Sequence, residues 1–354
     1  MFKIPWVNFK TCDWEHVTSL LNRSFAINQL TNYGPVVRDL ELYFIETLKL
    51  SQDKAVIVVT NAALGMNALV AGINWTLGKK LKYTTQAFAF PCVAQGELQD
   101  SFIVDIDEEY GPDLSQVPDE TDGLIVTNLF GHVGNIDKYL AWAQENHKIL
   151  LFDNATVPFT KYKGRYAVEY GVGSIISLHH TKPIGFGEGG VIIVDKKYEA
   201  NVRKCINFGF EVNDGVISWH PYGMNAKMSE IAAASILSHL QKKKDQIVEH
   251  QVKMYKLFSE KLKEVPGVRL FPNFGEVPFV SCFALICNFP ITTAEIYECE
   301  LNNITAKKYY TPLADMPEST YLFSRILCLP CHLDINEDTL NRYIEILKKL
   351  TVSK

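Results

Sequence analysis

Apolar residues along the middle of the chain fall into short unbroken runs separated by longer stretches with helical spacing. Ala55–Val59, Lys82–Thr84, Ser101–Asp105, Gly123–Val126, Ile149–Phe152, Ser174–Ser177 and Gly190–Val194 read as strands. Runs without polar alternation are strands buried on both faces. Their interleaving with helices predicts a mainly parallel sheet covered on both sides. The last two strands have no room for a helix between them, so the sheet should be mixed. Upstream, residues 13–50 read as two helices broken by Thr31-Asn32-Tyr33-Gly34-Pro35, a turn cluster. Downstream, Ala226 to Lys263 reads as two helices, the second largely charged. Val280–Asn288, Ile304–Tyr309 and Ser324–Leu329 then alternate with helical stretches up to a last helix, Glu337 to Lys349. This organisation predicts a large α/β domain over residues 1–245 and a smaller C-terminal α/β domain over 246–354.

One stretch imitates a membrane span. Ala55 to Gly78 carries no formal charge and is long enough to cross a bilayer. Asn61, Asn67 and Asn74 interrupt it, and Thr60-Asn61 separates a strand from a helix, so it reads as a strand–turn–helix unit. The N-terminus, Met1-Phe2-Lys3-Ile4-Pro5-Trp6, has no charged segment followed by an apolar core, so no signal peptide is expected. The 354 residues carry 35 basic and 40 acidic side chains, a formal charge of −5. That balance argues against nucleic acid or an anionic membrane as the main partner, but not against a small phosphorylated ligand. Eight cysteines lie mostly inside apolar runs. Cys328-Leu329-Pro330-Cys331 has no second ligand pair, so no metal site is expected, and buried reduced thiols of a cytoplasmic protein are the simpler reading.

Three segments carry chemistry. In the first, a strand ends at Ser177, Lys182 follows five residues later, and Gly185-Phe186-Gly187-Glu188-Gly189-Gly190 leads into the next strand. A lysine held between buried strands can lose its proton and attack a carbonyl, forming a Schiff base, with Ser177 placed to donate to a phosphate. In the second, the apolar strand Ile149–Phe152 ends in Asp153. The carboxyl ends of parallel strands are where open α/β sheets bind ligands. A carboxylate there can hold a metal, act as a base or pair with a protonated ring nitrogen. In the third, Asn61 is a good N-cap, and the first amides of the helix that follows would point at the strand ends and make an anion site. Pyridoxal 5′-phosphate asks for all three features together.

The arrangement resembles the DegT/DnrJ/EryC1/StrS family of sugar aminotransferases, within the aspartate-aminotransferase-like (fold type I) pyridoxal-phosphate enzymes. Ser177…Lys182…Gly187-Glu188-Gly189-Gly190 resembles its S-F-H-x-x-K-x-x-x-x-x-E-G-G motif. Gly223-Met224-Asn225-Ala226-Lys227-Met228-Ser229-Glu230 resembles its G-x-N-x-K/R-M-S/T-E motif, and Thr31–Pro35 with Leu40-Glu41 resembles its opening segment. The resemblance implies a seven-stranded mixed sheet. It implies Lys182 as the Schiff-base lysine and acid/base, and Asp153 on the pyridine nitrogen. Asn61, Ala62 and Ser177 would hold the phosphate, Phe90 would stack on the ring, and Thr156 would stand where the family places glutamine or histidine. Asn225 would reach the cofactor of a second subunit, giving a homodimer with shared sites. The family's Gly-Thr is Asn61-Ala62 here, so a hydroxyl to the phosphate is missing. Retention of Lys182, where the family's 3-dehydratases carry histidine, disfavours that chemistry.

Asn303–Pro312 is similar to the A-R-R-Y-F-Y-P run of the subgroup that aminates C4 of nucleotide-linked 4-keto-6-deoxyhexoses, the viosamine-forming type. This places Lys307, Lys308 and Tyr309 as substrate contacts. The implied reaction takes an amino group from L-glutamate, releases 2-oxoglutarate, and passes through pyridoxamine 5′-phosphate to the keto sugar. The alternatives are a 3-keto-sugar aminotransferase and a non-enzymatic pyridoxal-phosphate-binding regulator.

Overall fold

The unbroken apolar runs become strands buried on both faces in the computed structural model, which describes residues 3–352. The chain opens with α1 (Trp14–Ala26), α2 (Pro35–Leu48), β1 (Lys54–Val59), α3 (Ala62–Leu77), β2 (Tyr83–Gln86) and β3 (Phe102–Val104). It continues with β4 (Gly123–Thr127), α4 (Ile136–Glu145), β5 (Ile149–Asp153) and a short pair, β6 (Lys161–Tyr162) and β7 (Arg165–Tyr166). Next come β8 (Gly173–Ser177), β9 (Gly190–Asp195), α5 (Lys196–Cys205), β10 (Phe210–Asn213), β11 (Val216–Trp219) and α6 (Glu230–Leu262). The C-terminal part holds β12 (Val268–Leu270), β13 (Cys282–Cys287), α7 (Thr293–Leu301), α8 (Pro317–Arg325), β14 (Ile326–Pro330) and α9 (Glu337–Val352).

Seven strands form one sheet in the order β1-β9-β8-β5-β4-β2-β3. β9 runs antiparallel to both neighbours, and the β8-β5-β4-β2-β3 pairings are parallel. The mixed sheet expected from the missing helix between β8 and β9 is therefore present. All strands but β9 point their carboxyl ends at the same edge, and β9 starts there. Side chains of β1 alternate between the two layers: Ile57 and Val59 join the core under α3 and α5, while Val56 and Val58 join the core under α2 and α6. This explains the uncharged stretch. α3 and α5 pack side by side on this face of the sheet, and a Cβ on Gly72 would meet the Val202 backbone at 2.7 Å. No helix among the described residues is long and apolar enough to cross a membrane.

Two expectations are corrected. Ala226 to Lys263 holds one 33-residue helix, α6, capped by Ser229, whose Oγ accepts from Ala232 N at 3.2 Å. Its charged centre contains no glycine or proline and is made of good helix formers, so nothing breaks it. The first turns of α6 pack on the sheet through Ala233, Ala234, Ile236 and Leu237, and its last turns pack through Met254, Phe258 and Leu262 on the C-terminal core. Ile304–Tyr309 is not a strand. It touches Ile4 and Cys328 through single bridges, at Ile304 and Lys307, with no continuous ladder between them. The C-terminal strands form an antiparallel β12-β13-β14 sheet.

Sequence reading also passed over the β10–β11 hairpin. Its turn, Asp214-Gly215, has both residues at positive φ (52° and 78°), the combination a two-residue hairpin loop requires. Phe210, Val212, Val216, Ile217 and Trp219 on this hairpin are all exposed.

Candidate active site

The strand ends build a cavity of about 530 Å³ at the carboxyl edge of the sheet. Ser177 ends β8, Asp153 ends β5 and Thr127 ends β4, and all three line it with Lys182. Thr127 and Asp153 are register partners.

Lys182 projects from a tight turn. Its N–H donates to His179 O at 2.8 Å, and its carbonyl accepts from Gly185 N at 3.0 Å. The turn is closed by His180 N donating to Gly187 O and Leu178 N donating to Gly189 O. The glycines of the sequence thus fold the loop back on itself so that the lysine side chain enters the cavity. Burial pulls the pKa of Lys182 down, while Asp153, Cys282 and Cys92 push it back up. A lowered pKa frees the amine lone pair for attack on a carbonyl.

Asp153 is 1% exposed. Its Oδ1 accepts from Ala155 N at 3.0 Å, and its Oδ2 meets only the Cys92 thiol, at 3.9 Å. Burial raises its pKa, and the Ala155 amide, the Lys182 charge and Cys92 oppose that rise. A buried carboxylate with one well-made hydrogen bond favours a cationic N–H donor as a partner. The hydroxyl of Thr127 beside it is buried with no hydrogen-bond partner. A pyridinium ring bearing polar substituents suits this pair of groups, and no cluster of three metal-ligating side chains exists among the described residues.

At the start of α3 the Asn61 side chain accepts from Leu64 N at 2.9 Å, and Asn61 O accepts from Gly65 N. That cap leaves the amides of Ala62 and Ala63 at the positive end of a 16-residue helix with no carbonyl one turn back. Asn61, Ala62 and Ala63 all line the cavity with Ser177. The first strand–turn–helix unit and the Ser177 strand end therefore meet at one corner of the cavity, with free amides of the kind that suits an anion.

Phe90 lines the cavity half-exposed, edge-on to Tyr310 with ring centroids 6.0 Å apart. Thr156 lines it too, its Oγ1 donating to Asn128 O at 3.2 Å and accepting from Gly131 N at 3.1 Å. Tyr309 is in the wall, whereas Lys307 stands behind it, its ammonium 5.6 Å from the Tyr309 ring and 5.1 Å from Trp6. Lys308 is turned away: it donates to Ile291 O at 2.5 Å and borders a different groove. Asn225 is exposed and outside this cavity, accepting from Lys227 Nζ at 2.7 Å. Trp6, Thr127 and Tyr310 are lining residues that sequence reading missed. Thr127 could have been found as another strand end on the same edge. Tyr310 lies in the run 303–312 but was not singled out there, and Trp6 carries no local signal.

A fold of this class with a cavity lysine, a buried carboxylate and a helix start on one sheet edge is that of the pyridoxal-phosphate enzymes of fold type I. Comparison with known proteins sharpens this. Residues 12–348 match the DegT/DnrJ/EryC1/StrS aminotransferase family, and the chain belongs to that family, whose members depend on pyridoxal phosphate. The dTDP-4-amino-4,6-dideoxy-D-glucose transaminase of Shigella dysenteriae is 24% identical over 350 residues, 91% of this chain and 92% of that protein. Its Escherichia coli namesake is 24% identical over 90% of this chain and 91% of its own length. Among solved structures, DesI in the presence of its TDP-sugar product superposes with a TM-score of 0.84 at 20% identity, covering 100% of this chain and 97% of that one.

Proposed function

We propose that the chain transfers an amino group from L-glutamate to C4 of a nucleotide-linked 4-keto-6-deoxyhexose. The observation that carries this reading is the full-length similarity to two transaminases named for dTDP-4-amino-4,6-dideoxy-D-glucose. The cavity supports it. Lys182 would hold the cofactor through its Nζ and would move a proton at that atom in both halves of the reaction. Asp153 holds the ring nitrogen in its protonated form, and Ser177 with the amides of Ala62 and Ala63 holds the phosphate. When bound, pyridoxal 5′-phosphate supplies the electron sink and carries the amino group between the two substrates. Trp6, Phe90 and Tyr309 give the outer cavity apolar walls suited to a deoxysugar and a base. Asn225 and the exposed apolar β10–β11 hairpin point outward, which favours a homodimer whose sites are completed by the second subunit.

The test is a panel of dTDP-, UDP- and GDP-linked 4-keto-6-deoxy sugars offered with L-glutamate, with the product read by NMR. Amination at C4 of one of them is the expected result, and amination at C3 overturns the assignment of the carbon. Borohydride should fix the cofactor on Lys182, and Lys182→Ala should abolish turnover. Unchanged turnover in that variant would remove the lysine's role.

A further inference from the structure

Residues 3–13 form no helix, yet both ends of this segment are pinned. Ile4 is buried in the C-terminal core, its N–H donating to Asn303 O at 2.8 Å and its carbonyl accepting from Thr305 N at 3.1 Å. Pro5 O accepts from His332 Nε2 at 3.0 Å. The chain then passes along the cavity wall, where Trp6 packs edge-on against Tyr309 with centroids 5.6 Å apart. At the far end Lys10 Nζ donates to three backbone carbonyls: His180 O at 2.7 Å, Lys182 O at 2.6 Å and Gly185 O at 2.7 Å.

All three N–H bonds of the ammonium are thereby used. Three carbonyl dipoles aimed at one point repel one another unless a cation sits between them. Those carbonyls belong to the turn that carries Lys182, so the Lys10 ammonium offsets their mutual repulsion. Burial lowers the pKa of Lys10 to about 8, which still leaves most of the side chain charged at neutral pH.

We propose that Lys10 is a positioning residue, a built-in monovalent cation that holds the His180–Gly185 turn and so sets where the Lys182 amine enters the cavity. The carbonyl triad is then a latent cation site: with the Lys10 side chain cut back, a potassium or ammonium ion can take the place of the ammonium head. This rests on the reading of Lys182 as the cofactor-binding lysine. Because residues 4–6 are anchored to the C-terminal part and Trp6 lines the cavity, the same strap links the outer cavity to the lysine turn.

The test uses the full-length enzyme and Lys10→Met and Lys10→Ala variants. The first readout is the rise in visible absorbance when pyridoxal phosphate is added to cofactor-free protein. Borohydride is then added, and peptide mapping locates the label. Lys10→Met should slow cofactor capture by about 10- to 100-fold, the penalty expected for misplacing a reacting group by an ångström. Hydrogen exchange should speed up in the peptide spanning residues 178–190 and stay unchanged in α9. Lys10→Ala should be slow in lithium or tetramethylammonium chloride and recover most of its capture rate in potassium or ammonium chloride. A structural contact of no particular charge would give no such cation selectivity. Wild-type capture in Lys10→Met, or a Lys10→Ala defect indifferent to the cation, overturns the proposal. A label on another lysine in the wild type overturns the reading of Lys182 and this proposal with it. A keto-sugar panel that fails leaves the capture result standing. Should Lys10→Met not fold, Lys10→Ala in potassium decides the matter.

Discussion

Gly190 offers a direct test of the phosphate corner. It opens β9 at the sheet edge where α3 begins, and a Cβ there would lie 2.7 Å from Ala62 N, 2.7 Å from the Asn61 carbonyl carbon and 2.8 Å from Ala62 Cα. Reaching an ordinary 3.4 Å contact from 2.7 Å requires a separation of about 0.7 Å. Gly190 is held in register between Val59 of β1 and Ser177 of β8, so the strand cannot yield easily. The first turn of α3 is the side that gives, and it carries the Ala62 and Ala63 amides. Each amide–phosphate bond is charge-assisted and worth about 1.5–3 kcal/mol, so stretching two of them should cost about 1.5–3 kcal/mol of cofactor binding. Gly190→Ala should therefore weaken pyridoxal-phosphate affinity about 10- to 100-fold, measured by absorbance titration of the cofactor-free protein. Thermal melts of that protein separate the effect from global unfolding. An unchanged cofactor Kd, with the melting temperature also unchanged, would show that the phosphate does not sit at this helix start.

Three further outcomes follow from buried polar groups. The Glu230 carboxylate accepts from Ser24 Oγ at 2.6 Å, Val36 N at 2.8 Å and Val37 N at 2.9 Å, so Glu230→Ala should cost about 3–5 kcal/mol in urea unfolding, and a loss below about 1 kcal/mol would refute its capping role. Asp105 accepts from Glu318 N, Ser319 N and Ser319 Oγ at 2.8, 2.9 and 2.6 Å, tying the segment after β3 to α8, and Asp105→Ala should lower stability by about 2 kcal/mol or more. His132 is fully buried with both ring nitrogens unpartnered, and burial pushes its pKa from 6.5 to about 3. The unfolded chain therefore binds more protons between those values: the contribution to stability is whole above about pH 6.5 and is lost as pH falls, by about 1.4 kcal/mol per pH unit. His132→Phe should remove one proton's worth of that slope between pH 6 and pH 4, and an unchanged slope would contradict the burial argument.

Legibility in the sequence followed how local each signal was. Strand positions, the cap at Asn61, the carboxylate ending β5 and the lysine loop could all be read because each sits inside its own run and turn. The family motifs pointed to the right segments but not to the work of every residue in them. Glu230 reads as a motif residue, but the structure makes it the cap of α2: a Cβ on Gly34 would meet its carboxylate at 2.6 Å, so the opening segment and the second motif are two halves of one contact. Glu41 likewise accepts from Val58 N and pairs with Arg203, holding β1 between α2 and α5. The run 303–312 placed Tyr309 and Tyr310 in the cavity wall and Lys308 outside it, a division that no simple alternation along the segment would have given. Trp6 and Lys10 were beyond reach because their partners lie some 170 to 300 residues away along the chain.

The direction of β9 is what makes these separate signals converge. The strands that end at Val59, Thr127, Asp153 and Ser177 bring their last residues to one edge of the sheet. A sheet with all strands parallel would begin its next strand at the opposite edge. Reversing β9 lets the chain turn back at once, and the residues spent on that return, 178–189, are the loop that carries Lys182. Lys182, Asp153 and the start of α3 thus need no long connection to meet. An insertion that let β9 run parallel would have to carry the chain across the whole sheet, and it would remove the lysine from the edge at which Asp153 and the start of α3 stand.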